Sequence, residues 1–162
     1  MKNMTKDIEV SNQPLKMVDV SNKPVVKRIA EAEGKIRLQQ ETIRKIRQGL
    51  VEKGDVFSAA QIAGVLAAKK TPELIPLCHL ISLSKIDIRF SIHKEHITGK
   101  CIVIGESKTG VEMEALVGVG TALFTIWDMV KYLEKDEEGQ YPHTRIVEIK
   151  VLEKRKETIT LE

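Results

Sequence analysis

Aromatic residues are scarce, at 4% of the 162 residues. A sheet face built to stack nucleic-acid bases needs several, so that class of partner loses its main support and no nucleic-acid partner is expected. Cysteine is nearly absent too. Cys78 and Cys101 are too few for a disulfide scaffold, and neither belongs to a Cys-x-x-Cys pair, which points to a reducing cytoplasmic setting. The histidines lack metal-ligand spacing: His79 has no supporting ligand, His93 and His96 flank a hairpin, and His143 lies in a polar turn. Residues 1–16 contain no continuous apolar stretch, which argues against a signal peptide or membrane anchor there. Internal repeats and low-complexity tracts are also missing. The net charge of +3 suits an anionic small molecule as well as a nucleic acid and separates little.

What is present describes a globular protein. Hydrophobic residues make up 42% and charged residues 30%, in a length that suits one core. The expected organisation is a flexible arm over 1–16, a single domain over 17–155 and a tail over 156–162. Ile36 and Leu38 alternate with Lys35 and Arg37, which predicts an edge strand after Gly34. Ile43, Ile46 and Leu50 predict a short helix ending near Gly49, and Asp55 caps an alanine-rich helix from Val56 to about Lys70. Pro72 and Pro76 bound the segment Leu77–Leu80, which is read as a loop. Alternating runs at Ile86–Ile92 and Ile97–Ile104 form a hairpin with its tip at Lys94–Glu95. A long apolar helix follows, roughly Val111 to Leu133, and then a last strand at Ile146–Val151. The charges and glycines inside that apolar run favour a buried helix over a membrane span. The order strand, helix, helix, strand, strand, helix, strand implies an α+β fold, an antiparallel sheet with helices on one face, ferredoxin-like with an additional helix.

The long helix carries the chemistry. Thr109-Gly110-Val111-Glu112 fits a capping box, and for Glu112 that structural role is favoured. Glu114, Gly118, Thr121, Thr125 and Asp128 form a polar or small stripe on an otherwise apolar helix. Such a stripe is either a solvated face or a contact with a ligand or another helix, and the small size of its members favours contact. Asp128 and Lys131 are neighbours three residues apart. As a surface ion pair they contribute little; the apolar residues around them weaken that reading, and if the pair is partly buried a working acid and base becomes plausible. Glu114 and Asp128 are fourteen residues apart, about 21 Å along a helix. One compact pocket cannot touch both unless a second subunit completes it. Lys53-Gly54-Asp55 either supplies a phosphate site at a helix start or is a simple cap with a solvated lysine. Lys69 suits a helix C-terminus in any case. Cys78 lacks an activating base, so His79 is the better acid, base or phosphate donor in its loop.

Met17–Val20, Lys53–Val56, Leu74–His79, Lys108–Leu116 and Asp128-Met129 with Lys131 occur in this order. Together they resemble the cyclic pyranopterin monophosphate synthase family, the molybdenum-cofactor biosynthesis protein C family, over Met17 to about Glu153. One departure is Leu80, where the family usually has proline. The resemblance implies conversion of 3′,8-cyclo-7,8-dihydroguanosine 5′-triphosphate to cyclic pyranopterin monophosphate with release of pyrophosphate. It also implies roles. Asp128 and Lys131 would be the central catalytic residues, supported by Lys53 and His79. Leu77, Cys78, His79, Glu112, Met113 and Glu114 would contact substrate, and Lys69 would reach the triphosphate. Neither metal nor cofactor is expected. The implied assembly is a hexamer, a trimer of dimers, with sites at subunit contacts and no membrane partner. Two competing classes are a small RNA-binding module and a purely structural self-assembling protein.

Overall fold

A computed structural model describes residues 13–159. Of the expected terminal segments, residues 1–12 of the arm and 160–162 of the tail lie outside the described residues. The elements run β1 (Val26–Arg37), α1 (Gln40–Arg47), α2 (Val56–Lys69), α3 (Thr71–Leu74), β2 (Leu83–Ile92), β3 (His96–Ser107), α4 (Glu112–Glu134) and β4 (Arg145–Glu157). The strands form one four-stranded sheet in the order β2-β3-β1-β4. Every neighbouring pair is antiparallel. This is the expected α+β, ferredoxin-like arrangement, with α1 and the one-turn α3 added to the two main helices.

β1 departs from the sequence reading. It starts at Val26 rather than after Gly34, and it pairs with both β3 and β4, so it is a central strand and not an edge. The reason lies in its inward residues, Ala30, Ala32 and Gly34, which are too small to signal a buried strand. They are small because α4 lies directly over them: a Cβ on Gly34 would sit 2.7 Å from Leu123 Cδ1. Its outward charges are satisfied across the sheet. Lys100 Nζ lies 3.1 Å from Glu31 Oε1, and Lys35 Nζ 2.5 Å from Glu148 Oε2.

α1 buries Thr42, Ile43 and Ile46 and stops as expected at Gly49, whose φ of +68° is open to glycine at little cost. The Leu50 N–H donates to Lys45 O and the Gly49 N–H to Ile46 O, the paired bonds of a Schellman stop. That stop turns Leu50 outward, so it is 61% exposed rather than on the buried face. A tight turn from Val51 to Gly54 then leads into α2, where Asp55 Oδ1 accepts from the Ser58 N–H at 2.7 Å.

α4 is long and apolar enough to cross a membrane. Its buried residues, among them Ala115, Val119, Ala122, Leu123, Ile126 and Val130, instead pack with β1, β3 and α2 into one core. α2 and α4 touch backbone to backbone at Gly64 and Gly118. A Cβ on Gly64 would lie 2.4 Å from Ile88 Cδ1 and 2.7 Å from Gly118 O, and one on Gly118 would lie 2.8 Å from Cys101 Sγ. The close packing expected of the helix glycines is therefore made within the chain. Around Gly120 there is room: only Ile149 Cδ1 comes near, at 4.0 Å.

Two substitutions separate these cases. Gly64→Ala gains about 1 kcal/mol of helix propensity but overpacks against a fixed carbonyl. It should lower unfolding free energy by a net of about 1–2 kcal/mol, whereas Gly120→Ala should raise it by up to about 1 kcal/mol. Denaturant unfolding of the two variants checks both signs.

Candidate active site

The residues singled out from sequence gather at two places along α4. At its N-terminal end, Leu77, Cys78, His79, Glu112, Met113 and Glu114 all line one cleft of about 420 Å³. Val18 and Val20 wall it from the other side. The loop after α3 supplies the first three because Pro76 holds Ile75 extended and stops α3 at Leu74. His79 Nε2 lies 2.8 Å from the Val18 carbonyl oxygen, which can only accept. Nε2 therefore carries the hydrogen and Nδ1 is left for other work. Leu80, at the position of the missing proline, is 84% exposed, and the histidine keeps its place in the cleft.

Glu114 is the unusual group here. It is 3% exposed, and its Oε2 has no hydrogen-bond partner among the described residues. Burial pushes its carboxyl above the ordinary range, its own backbone N–H opposes that, and the like charge of Glu112 adds to the rise. Glu112 behaves differently. Desolvation is the largest single influence and raises its carboxyl, but the hydrogen bond from Lys154, its own backbone N–H and the nearby charges of Lys154 and Arg28 together hold it below the usual value. The Lys154 Nζ–Glu112 Oε1 distance is 2.9 Å. Burial, with the charge of Glu114, keeps the Cys78 thiol up, so it is a thiol and not an activated nucleophile.

The expected capping box is not formed. Val111, not Thr109, precedes the first turn of α4, with no side-chain cap, and the Thr109 N–H donates to Ser107 Oγ instead. Glu112 is thereby the first helical residue rather than the third. Its carboxylate folds over Gly110, where a Cβ would collide with Oε2.

The second gathering is at the C-terminal end. Asp128 accepts from both lysines: Lys131 Nζ lies 2.8 Å from Oδ1 and Lys53 Nζ 2.9 Å from Oδ2. Lys53 Nζ also donates to the Asp128 carbonyl at 2.8 Å. The hydrogen bonds and charges of Lys131 and then Lys53 draw the Asp128 carboxyl down to about 2, while Asp128 holds the Lys131 ammonium up. Asp128 is thus held as the carboxylate between two lysines, an arrangement able to donate protons and stabilise an anion. Lys69 joins neither place; it ends α2, exposed, outside the residues lining the cleft.

One feature was not legible from sequence. A second cleft of about 460 Å³ adjoins the first and shares Lys23, Thr109, Gly110 and Glu112 with it. Lys23, Arg28, Lys108, Lys154, Arg155 and Lys156 line it. Six cations against one carboxylate make this cleft strongly positive, a field that suits a polyanion. Only Lys108, at the head of the Lys108–Leu116 stretch, could have pointed to it. The one strand aromatic, Phe90, faces inward onto Phe57 at 5.0 Å between ring centroids, so the sheet offers no stacking platform to RNA. Among the described residues no cluster of histidine, cysteine and carboxylates suits a metal ion.

The joined clefts have the size of a small-molecule site, with the buried Glu114 in one half, cations in the other and Glu112 between them. The chain belongs to the MoaC family, whose sequence model matches residues 17–157, a family involved in molybdenum cofactor biosynthesis. It is 58% identical to a probable cyclic pyranopterin monophosphate synthase of Pyrococcus abyssi, over 91% of this chain and 92% of that one. A protein of the same name from Thermococcus kodakarensis is 57% identical, over 96% and 98%. A probable cyclic pyranopterin monophosphate synthase accessory protein from Methanothermobacter thermautotrophicus is 52% identical, over 88% and 89%.

The Glu114 environment gives a pH test with a definite sign. A carboxyl raised by folding destabilises the fold once ionised, so the penalty is absent below its ordinary 4.5 and full above its raised folded value. Glu114→Gln should therefore melt above the wild type at neutral pH, and the gap should close as pH falls toward 4.5. Thermal melts across that range check it.

Proposed function

We propose that this chain makes cyclic pyranopterin monophosphate from 3′,8-cyclo-7,8-dihydroguanosine 5′-triphosphate, releasing pyrophosphate, as a cytoplasmic step of molybdenum cofactor biosynthesis. The observation that carries the reading is the join of the two clefts across Thr109, Gly110 and Glu112. Such a substrate has a guanine-derived end rich in N–H donors and a triphosphate end rich in charge. Glu114 and Glu112 are acceptors suited to the first, and Lys23, Arg28 and Lys108 are suited to the second. The catalytic unit proposed is the single domain over 17–155.

The chemistry falls to two groups of side chains. Opening and closing rings on a purine-derived skeleton needs proton donors and acceptors near the reacting atoms. His79 offers a free Nδ1 beside the carboxylates. Lys131 and Lys53 offer protons and positive charge, with Asp128 fixing both ammonium groups. Departure of pyrophosphate develops negative charge, which fixed cations stabilise without reorganisation. Lys69 is proposed to extend this cationic contribution toward the triphosphate.

The two groups lie near opposite ends of α4, about 21 Å apart along a helix. We therefore propose that a working site pairs the carboxylate cleft of one protomer with the Lys53–Asp128–Lys131 cluster of another, in a hexamer built as a trimer of dimers. An exposed cluster of three charges has no other evident use at that place.

The direct experiment incubates the purified chain with the cyclised triphosphate and follows product by mass spectrometry. Wild type should release one pyrophosphate per cyclic pyranopterin monophosphate. Asp128→Asn and Lys131→Ala should each lose at least about a hundredfold in kcat with the oligomer intact. Near-normal turnover by either variant would remove the catalytic assignment.

A further inference from the structure

Lys53 reaches Asp128 from a turn closed by the Gly54 N–H to Val51 O bond and anchored by Val51 on the side away from α4. An exposed ion pair is too weak to offset the freedom that a lysine side chain loses on being fixed. Lys131 competes for the same carboxylate and repels a second ammonium. Gly54, next to Lys53, has a φ of +104°, and the cavity under the turn, lined by Gly49, Val51, Gly54 and Phe57, has a volume of about 310 Å³. Something else must aim the turn at α4.

That something is one residue beyond Lys131. The Glu52 N–H donates to Tyr132 Oη at 2.8 Å, across eighty residues of sequence. Asp128 and Tyr132 are four residues apart and so stand on one face of α4. Consecutive residues of the turn are thus fastened to consecutive rungs of that face. The Glu52 backbone goes to Tyr132 Oη, and Lys53 Nζ goes to the Asp128 carboxylate and carbonyl at 2.9 and 2.8 Å. Val51, just before them, is buried in the core and fixes the other side of the turn. A phenolic oxygen on a ring with two rotatable bonds is a stiffer post than a second lysine–carboxylate pair.

We propose that Tyr132 is a positioning residue for the reaction, which holds the turn Val51–Gly54 against α4 so that Lys53 and Lys131 flank Asp128 together. Its catalytic consequence rests on the function proposed above; its structural consequence does not. Tyr132 acts through Lys53 and touches no reacting atom.

The test uses the full chain with Tyr132→Phe, Lys53→Ala and the two combined. Phenylalanine keeps the ring and removes only the acceptor, and the Glu52 N–H it frees is at the surface, where water can satisfy it. Two quantities are read: the titration midpoint of the Asp128 carboxyl by carbon-detected NMR, and kcat on the cyclised triphosphate. Among the described residues, Asp128 faces only Lys131 and Lys53 as charged hydrogen-bond partners, with Tyr141 near Lys131. Tyr132→Phe should move the midpoint up from about 2 toward 3.8, as should Lys53→Ala, and the double variant should move no further than Lys53→Ala alone. In parallel kcat should fall about tenfold for Tyr132→Phe in the wild-type background and not at all in the Lys53→Ala background.

An unchanged midpoint in Tyr132→Phe overturns the proposal. So does a loss of activity of equal size in both backgrounds, which is what a general folding defect gives. If Lys53→Ala moves the Asp128 midpoint yet keeps wild-type turnover, the catalytic role of Lys53 fails, while a matching midpoint in Tyr132→Phe still upholds the positioning.

Discussion

Gly64 and Gly118 meet where α2 crosses α4, and there is no space between them for one more carbon. That contact sets how closely α2 and α4 approach each other. With no side chains to keep them apart, the two helices pack backbone to backbone, and α4 settles close over Ala30, Ala32 and Gly34 of β1 and Gly99 of β3. The depth of α4 in turn decides which residues are covered. Glu114 goes under at one end, and Asp128 stays out at the other. A looser crossing would lift the helix from the sheet and open the cleft from which Glu114 draws its buried environment.

Glu112 and Glu114 in the first turn of α4 and Lys131 in the last suit its dipole, while Glu134 at its end opposes the dipole and is held instead by the Gln39 N–H and the Thr144 hydroxyl. The surroundings then drive the two ends apart chemically. Glu114 loses water and gains the like charge of Glu112, so its carboxyl rises. Asp128 keeps its water and gains two ammonium groups, so its carboxyl falls to about 2. Two carboxylates on one helix therefore hold protons with very different strength, a separation that acid–base chemistry can use. The cationic cleft beside Glu112 completes the picture, since Lys154 both lowers Glu112 and faces the polyanion site.

Much of this was legible in the residues themselves. Asp55 capping α2, the stop at Gly49, the hairpin at Lys94–Glu95 and the extent of α4 follow from local rules that the tertiary structure does not override. β1 was harder, because a strand pressed beneath a helix carries alanine and glycine where a strand normally advertises itself with valine and isoleucine. The capping box at Thr109 failed because Val111 is drawn into the core and delays the start of the helix. Among the site residues, Leu77–His79 and Glu112–Glu114, which the resemblance gave as substrate contacts, line one cleft, and Lys53 stands beside Asp128 and Lys131, whereas His79, given with Lys53 as support for that pair, lies at the other end of α4. The cationic cleft was illegible. Its members are spread from Lys23 to Lys156, and only the pairing of Arg28 with Lys156 and of Ala30 with Lys154 between β1 and β4 brings them to one end of the sheet. No local pattern encodes that register.

The proposal that two protomers share each site is tested most directly by mixing two inactive variants. Glu114→Gln spoils the carboxylate cleft and Asp128→Asn spoils the ion cluster, each in every site of its own oligomer. Co-expressed at equal levels, they assemble contacts in which an intact cleft faces an intact cluster, and about a quarter of wild-type sites should be restored. Mixed oligomers verified by native mass spectrometry that remain as inactive as either parent would contradict the shared site, because each protomer would then have to supply both halves itself.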